Sequence, residues 1–155
     1  MDKLDRTKLN EFSAKLLEYF IEGFPKETIY LIDNYKDGWV ITWLRPAGKN
    51  ENWWHVWLSF EAESLIVHWG GDHQDFFPFW EGFPQDEVQS CLNILKNIFD
   101  ERLVSVDFYD NRQKYPNVGG TWCPPEKIDT FRNKQGISSY EVKSWRGTYD
   151  RMIEL

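Results

Sequence analysis

The segment best equipped for chemistry runs from His68 to Phe76 and reads His-Trp-Gly-Gly-Asp-His-Gln-Asp-Phe. Its two imidazoles and two carboxylates are groups that bind zinc or a non-haem metal, or that act as general acid and base. Their spacing matches neither the HxH nor the HExxH pattern of metal sites, and Gly70-Gly71 is typical of a turn after a strand. We therefore expect the imidazoles to be hydrogen-bonded among aromatic rings in a structural role, with no metal bound.

The sequence contains none of the motifs that nucleophilic or nucleotide-dependent catalysis requires. Cys91 falls on the expected core face of a helix, and Cys123 has no flanking signature of a nucleophile. No serine lies in a GxSxG elbow, neither a GxGxxG loop nor a P-loop is present, and Gly119-Gly120 alone favours a turn. We expect no catalytic residues and no cofactor, and we expect Cys91 to be a free, buried thiol.

Charge is distributed unevenly along the chain. The 155 residues include 18 basic and 25 acidic side chains, a net charge of −7, which argues against a general nucleic-acid binder that neutralises phosphates. Residues 50–95 contain eight of the acids and no Lys or Arg, whereas the rest of the chain is close to neutral. The same segment contains all three histidines and ten Trp and Phe residues, so acids and rings are interleaved there.

An acidic, aromatic surface of this kind suits a positively charged protein partner. Carboxylates attract the cationic partner over a distance, and aromatic side chains supply desolvated anchors. We expect the partner-binding residues to be Trp57, Glu61, Glu63, Asp72, His73, Asp75, Phe76, Trp80 and Glu81. A solvated acidic edge with its rings turned inward is the alternative interpretation.

The length of the chain fits one domain, because chains that divide into domains usually exceed about 250 residues. Hydrophobic residues make up 41% and charged residues 28%, which is a globular composition. With 9 Trp, 7 Tyr and 11 Phe against 2 Met, bulky rings must dominate the core. The sequence therefore predicts a single α+β domain over residues 1–155.

Two helices are predicted from apolar residues at three- and four-residue steps. The first extends from Arg6 to Glu22 and ends at the stop signals Gly23 and Pro25. The second has acidic residues near its N-terminus and must bury one face. Its apolar face consists of Val88, Cys91, Leu92, Leu95, Ile98 and Phe99.

Strand-like runs separated by turn residues predict an antiparallel meander. The runs cover residues 28–33, 39–44, 53–60 and 65–69. A fifth strand is expected at Leu103–Tyr109, where apolar and polar residues alternate, and a sixth around residues 140–146. The predicted fold is a central antiparallel sheet of five or six strands with two main helices and a long irregular C-terminal segment.

The predicted strand at residues 53–60 is aromatic on both faces, with Trp53, His55 and Trp57 on one of them. A sheet covered by helices on one side therefore leaves a second apolar face. We expect the C-terminal segment, which contains Trp122, Phe131 and Trp145, to fold over that face. A ligand or a protein partner is the alternative occupant.

Export and membrane insertion have no sequence signal. The first six residues alternate charges where a secretory signal has a basic and then an apolar stretch. The apolar stretches are interrupted well short of the roughly 20 residues that span a bilayer. We expect a cytoplasmic protein that does not contact a membrane.

One family resemblance rests on Val67-His68-Trp69-Gly70-Gly71-Asp72-His73-Gln74-Asp75-Phe76, a strand that ends in a Gly-rich turn, followed by an aromatic-flanked histidine and then a helix. This segment resembles a pattern in small bacterial immunity proteins that neutralise secreted or contact-delivered toxins. The resemblance implies a stoichiometric inhibitor that binds its cognate toxin domain, commonly a basic nuclease, at the active site or an adjacent exosite. Where the family pattern has a second histidine this chain has Asp75, so only His73 and Phe76 are carried over. The resemblance implies a binding protein and not an enzyme.

Two other function classes stay open on the sequence alone. Trp53, Trp57 and Trp80 would form a stacking platform for a carbohydrate, although an excess of acids has no direct explanation in neutral-sugar recognition. A small metal-dependent enzyme would require His68, His73 and an acid to converge on a cleft.

Overall fold

The computed structural model describes residues 18–20, 22–24, 30–35, 38–44, 55–61, 64–76 and 85–155. Its main elements are antiparallel strands and one long α-helix. The strands form one five-stranded and one four-stranded sheet. The predicted α+β class is confirmed. The division into two sheets, instead of one central sheet, is the main difference from the prediction.

The N-terminal sheet is an antiparallel meander in which each strand pairs with the next along the chain. Its strands are β1 (Tyr30–Tyr35), β2 (Gly38–Leu44), β3 (His55–Glu61), β4 (Ser64–Trp69) and β5 (Asp72–Phe76). The first four were predicted within a few residues. Strand β5 was not, because its residues Asp-His-Gln-Asp-Phe lack the apolar alternation of a half-buried strand. Its hydrogen-bonding partner β4 holds it in the sheet.

Helix α1 (Gln85–Phe99) has the amphipathic pattern that predicted it. Acidic Asp86 and Glu87 lie in its first turn and Lys96 in its last, where each charge complements the helix dipole. Five of the six predicted core residues are buried and Leu92 is half-buried. No helix among the described residues is long and apolar enough to cross a membrane.

Phe99, the last residue of α1, joins the helix to two distant parts of the chain. Its ring lies 4.9 Å from the ring of Phe24, edge to face, and 4.6 Å from the ring of Trp145. Residues 18–20 and 22–23 are helical and Phe20 is buried, in agreement with the end of the predicted first helix. The rest of that prediction, which began at Arg6, lies outside the described residues.

The C-terminal sheet has the strand order β7-β6-β8-β9. Its strands are β6 (Val104–Tyr109), β7 (Asn117–Cys123), β8 (Ser139–Lys143) and β9 (Arg151–Glu154). The predicted fifth strand is therefore a central strand of this second sheet. The segment predicted as irregular supplies β7 and a 3₁₀ helix at Pro125–Asn133, and Gly119-Gly120 lies within β7 instead of forming a turn. Pairing with β6 overrides the weak strand propensity of these glycines.

One face of the C-terminal sheet has a hydrophobic core of its own. Its buried members are Val104, Val106, Phe108, Cys123, Ile128, Tyr140, Val142 and Ile153. The 3₁₀ helix covers this core, since the Phe131 ring lies 5.2 Å from the ring of Phe108 and the Tyr140 hydroxyl donates to the Ile128 carbonyl at 3.2 Å. Phe131 therefore packs on the C-terminal sheet, whereas the sequence predicted that it covers the N-terminal sheet.

The two sheets meet where the turn between β4 and β5 contacts the opposite face of β6. Gly70, the first residue of this two-residue turn, has a φ of +63°, a conformation that glycine adopts without strain. A Cβ atom on Gly70 would overlap Ser105 Oγ, and a Cβ atom on Gly71 would lie 2.8 Å from Asp107 Oδ1. Only glycine fits at both positions, because the backbone of the turn lies directly on β6.

Strand β7 completes this contact. A Cβ atom on Gly120 would lie 3.2 Å from the Gly71 carbonyl carbon, so glycine faces glycine across the junction. Beside them, Trp122 donates its indole N–H to the Trp69 carbonyl at 2.8 Å. Side chains of the C-terminal sheet therefore hold the β4–β5 hairpin by its backbone N–H and carbonyl groups.

Replacement of Gly70 by alanine tests the close approach. Gly70→Ala combines a positive φ, which costs a residue with a Cβ atom about 1–2 kcal/mol, with a steric clash on Ser105. Overpacking of a buried contact adds roughly 1–3 kcal/mol. We expect the free energy of unfolding, measured by urea denaturation, to fall by the sum of the backbone cost and the overpacking cost.

Gly136→Ala is the matched control, because Gly136 has a φ of +82° and a Cβ atom at this position would have no neighbouring atom within 4 Å. The free energy of unfolding of Gly136→Ala should fall only by the backbone cost of about 1–2 kcal/mol. Equal losses for the two variants would show that the turn does not lie against β6 in solution.

Candidate functional site

The β4–β5 hairpin contains the segment that the sequence singled out. Along β4, Val67 and Trp69 are buried and His68 is exposed, which is the alternation of a strand with one face in the core. Across the turn, Asp72 is half-buried and His73 is exposed. The hairpin therefore presents the imidazoles of His68 and His73 outward.

His68 and His73 form a directly opposed cross-strand pair. Their rings are stacked with centroids 5.3 Å apart and planes inclined by 23°. Next to them, the Asp72 carboxylate accepts the backbone N–H of His73 at 2.8 Å. This bond ties Asp72 to the start of β5, where it supports the hairpin.

Strand register groups some of the nine predicted partner-binding residues. Trp57 is opposite His68, and His68 is opposite His73, so these positions share one face of the sheet. Glu61 and Asp75 are an even number of residues from Trp57 and His73 on their strands, and their positions belong to the same face. We call this the histidine face.

Asp72 and Phe76 occupy positions on the opposite face. Phe76 is three residues from His73 along β5, and Asp72 is directly opposite the buried Trp69. Register therefore separates these two residues from the histidine face. The remaining predicted residues, Glu63, Trp80 and Glu81, lie outside the described residues.

Tryptophans with described side chains do not form an exposed stacking platform. Trp69 and Trp145 are buried, and Trp122 is half-buried with its indole N–H bonded to the Trp69 carbonyl. Two of the residues that the sequence suggested for carbohydrate stacking, Trp53 and Trp80, lie outside the described residues.

Below the hairpin, a buried carboxylate on β6 gathers partners from several elements. Asp107 Oδ1 accepts the Gly71 N–H at 2.7 Å, and Asp107 Oδ2 lies 3.3 Å from Lys143 Nζ. The Asp107 side chain is 6% exposed and the Lys143 side chain 10% exposed. A charge buried to this extent requires pairing, so the Lys143 ammonium and the turn backbone stabilise Asp107 together.

The same network continues across β8. Lys143 Nζ lies 2.7 Å from Glu141 Oε2, which also accepts the Tyr109 hydroxyl at 3.1 Å. Register explains the grouping, because Asp107 is opposite Glu141 across the β6–β8 pair. Burial, together with the negative charges of Glu141 and Asp107, raises the pKa of Tyr109 to about 12. The phenol therefore stays a protonated donor to a higher pH than an ordinary tyrosine does.

The sequence did not predict this network, although it contained one sign of it. The alternation along Leu103–Tyr109 placed Asp107 and Tyr109 on one face of a strand. Nothing in the sequence indicated that the Gly70–Gly71 turn buries that face, or that Lys143 supplies the countercharge. Both facts depend on contacts between residues 36 positions apart in the chain.

Both cysteines are free and buried, as predicted for Cys91. Burial raises the pKa of the Cys91 thiol, and burial followed by the charge of Glu126 raises the pKa of Cys123. A raised pKa disfavours the thiolate that nucleophilic catalysis requires. Within the part of the chain whose side chains the structure describes, no three His, Cys, Asp or Glu side chains gather to hold a metal ion.

Comparisons with protein-family models, with curated proteins and with solved structures found no match for this chain. The residues and their geometry are therefore the basis for any functional proposal.

Removal of the Asp107 carboxylate should destabilise the protein strongly. Asp107→Ala leaves the Gly71 N–H without this acceptor and removes one carboxylate from the surroundings of Lys143. Lys143 keeps Glu141 at 2.7 Å, so the loss comes mainly from the unsatisfied Gly71 N–H and costs about 1–3 kcal/mol. Urea denaturation at neutral pH measures this loss.

Asp129→Ala is the control for the loss of an ion pair in general. Asp129 and its partner Arg132 are 67% and 55% exposed, and exposed pairs contribute at most about 1 kcal/mol. If both variants lost a similar amount, the Asp107 network would not contribute more than a surface pair.

Tyr109 should make stability depend on alkaline pH. Because its pKa is about 12 in the folded protein and 10.0 for an ordinary tyrosine, its contribution is complete below pH 10 and is lost as the pH rises to 12. Tyr109→Phe should reduce the unfolding free energy by about 0.5–1.5 kcal/mol at neutral pH, and this deficit should shrink toward pH 12. The exposed Tyr115 provides the control Tyr115→Phe, for which a pH-dependent deficit of the same size would contradict the assignment.

Proposed function

We propose that this protein is a stoichiometric inhibitor that binds another protein, specifically an immunity protein that neutralises a basic bacterial toxin domain in the cytoplasm. It acts by occupying the surface of the toxin and not by catalysis. The partner-binding surface is centred on the histidine face of strands β3 to β5.

The observation that carries this proposal is the coincidence of charge with strand placement. Residues 50–95 contain eight acids and no Lys or Arg, and their described parts build three adjacent strands and most of helix α1, which include five of these acids. The C-terminal sheet, in contrast, comes from a part of the chain with nearly balanced charge. A negative potential is thereby concentrated on one part of the fold, where it attracts a cationic partner.

The described side chains of this region support a contact surface. His68, His73 and Gln74 are exposed on the hairpin, and Asp86 and Glu87 are exposed at the start of α1. Acidic side chains increase the rate of encounter with a basic protein, whereas aromatic side chains at the centre of an interface supply most of the affinity. Trp57, at a position of the histidine face directly opposite His68, is the anchor that we assign to the centre.

Rigidity of the hairpin also favours binding. The Gly70–Gly71 turn is held by Asp107, and the Trp69 carbonyl is held by Trp122. An interface strand that is already ordered loses little conformational entropy when the partner binds. The C-terminal sheet thus acts as the support for the surface of β4 and β5.

A test of this function begins with the partner. A neighbouring gene that encodes a large toxin with a variable C-terminal domain supplies the domain to co-express with this protein. We expect the protein to restore growth of cells that produce that domain and to form a one-to-one complex with it. Failure to restore growth, together with the absence of a complex between the purified proteins, would contradict the proposal.

Charge reversal on the histidine face then locates the surface. Asp75→Lys should slow association with the toxin domain by roughly tenfold at low salt and weaken the salt dependence, because electrostatic steering is reduced. Stopped-flow measurement of the association rate at several salt concentrations detects both changes. Glu154→Lys, an exposed position on β9, makes the same change in net charge and should leave the rate nearly unaltered. Equal slowing by both variants would exclude the histidine face.

A further inference from the structure

All three histidines of the chain occupy positions on one face of three adjacent strands. His68 on β4 is directly opposite His73 on β5, and directly opposite Trp57 on β3. His55 precedes Trp57 by two residues on β3, so its position falls on the same face. The sequence spacing of these residues resembles no metal motif, since each ligand would come from a different strand.

The imidazoles of His68 and His73 lie close enough together to share one metal ion. With metal–nitrogen distances of about 2.1 Å and a tetrahedral angle, two ligating imidazoles have centroids about 5.2 Å apart. The centroids of His68 and His73 are 5.3 Å apart. The two ring planes are inclined by only 23°, so both side chains have to rotate before each directs one nitrogen at a shared ion.

His55 holds the position of a third ligand. Its position on β3 is diagonal to His68, one step beyond the Trp57–His68 pair. Diagonal neighbours on adjacent antiparallel strands are about 7–8 Å apart, a span that long and aromatic side chains bridge. Three imidazoles with an open fourth position are a recurring ligand set for Zn²⁺.

The surrounding charge favours a cation. The segment of residues 50–95, which includes β3, β4 and β5, has eight acids and no Lys or Arg to repel a metal ion. Asp75 occupies a position on the same face, two residues from His73 on β5. A neighbouring carboxylate orients a histidine ligand and raises its basicity when it accepts the second ring N–H.

We propose that His55, His68 and His73 form a binding site for Zn²⁺ or a similar divalent transition metal on the histidine face. Because His68 and His73 are exposed, the fourth coordination position is open to water or to a ligand from solution. This proposal does not rest on the proposed inhibitor function, since it concerns the metal alone and is tested without a partner protein.

Calorimetric titration of the chelator-treated, full-length protein with Zn²⁺ tests the site. We expect one ion to bind per chain. His55→Asn, His68→Asn and His73→Asn should each weaken binding by at least about tenfold, the lower end of what loss of a hydrogen-bond partner of a metal ligand costs. Gln74→Ala, which alters an exposed neighbour on the opposite face of β5, should leave the affinity unchanged.

The Zn²⁺ affinity of His55→Asn shows whether three histidines or two bind the ion. Affinity equal to that of the wild type in this variant would overturn the three-histidine site, as would the absence of saturable binding or the same loss in Gln74→Ala. A circular dichroism melt without metal identifies variants that fail to fold. Where a variant does not fold, the visible absorption of the Co²⁺-loaded wild type replaces the titration. Three imidazoles and a fourth ligand predict the intense absorption of tetrahedral Co²⁺. The weak absorption of octahedral Co²⁺ would overturn the proposal.

Discussion

The contact between the Gly70–Gly71 turn and Asp107 is the constraint on which the arrangement of the two sheets depends. The Asp107 carboxylate is buried between a backbone N–H of the N-terminal sheet and the ammonium group of Lys143 in the C-terminal sheet. Neither partner alone would compensate the loss of hydration of this charge. Asp107 is therefore fully satisfied only when the hairpin lies on β6, and this requirement specifies how the hairpin packs.

Glycine allows the turn and strand β6 to approach closely enough for this contact. A side chain at Gly70 or Gly71 would collide with β6, and a side chain at Gly120 would reach the turn backbone. The three glycines allow the backbones to approach until a direct hydrogen bond forms at 2.7 Å. Steric exclusion and electrostatic pairing thus act at the same place, and together they hold the hairpin with its histidines away from the C-terminal sheet.

The orientation of the hairpin links stability to the proposed functions. Val67 and Trp69 are buried on one side of β4, whereas His68 and, across the strand pair, His73 are exposed on the other. The described strands β3 to β5 of the acidic segment lie in this part of the fold, while the C-terminal sheet has its own core and supports them. A metal ion and a basic protein are both cationic, so both proposals use the same negative potential.

The sequence by itself determined the α+β class, helix α1 and the strands with clear periodicity, because a repeat of 3.6 or 2 residues is a local property. It also located the acidic, aromatic segment and identified Gly70-Gly71 as a turn. It missed β5, β7 and β9, since polar residues and glycines in these strands are held by their neighbours and not by their own propensity. Only the tertiary structure decided that the strands divide into two sheets, that Asp107 pairs with Lys143, and that His55, His68 and His73 share a face. These are contacts between residues far apart in the chain, and strand register, which depends on pairing, sets them.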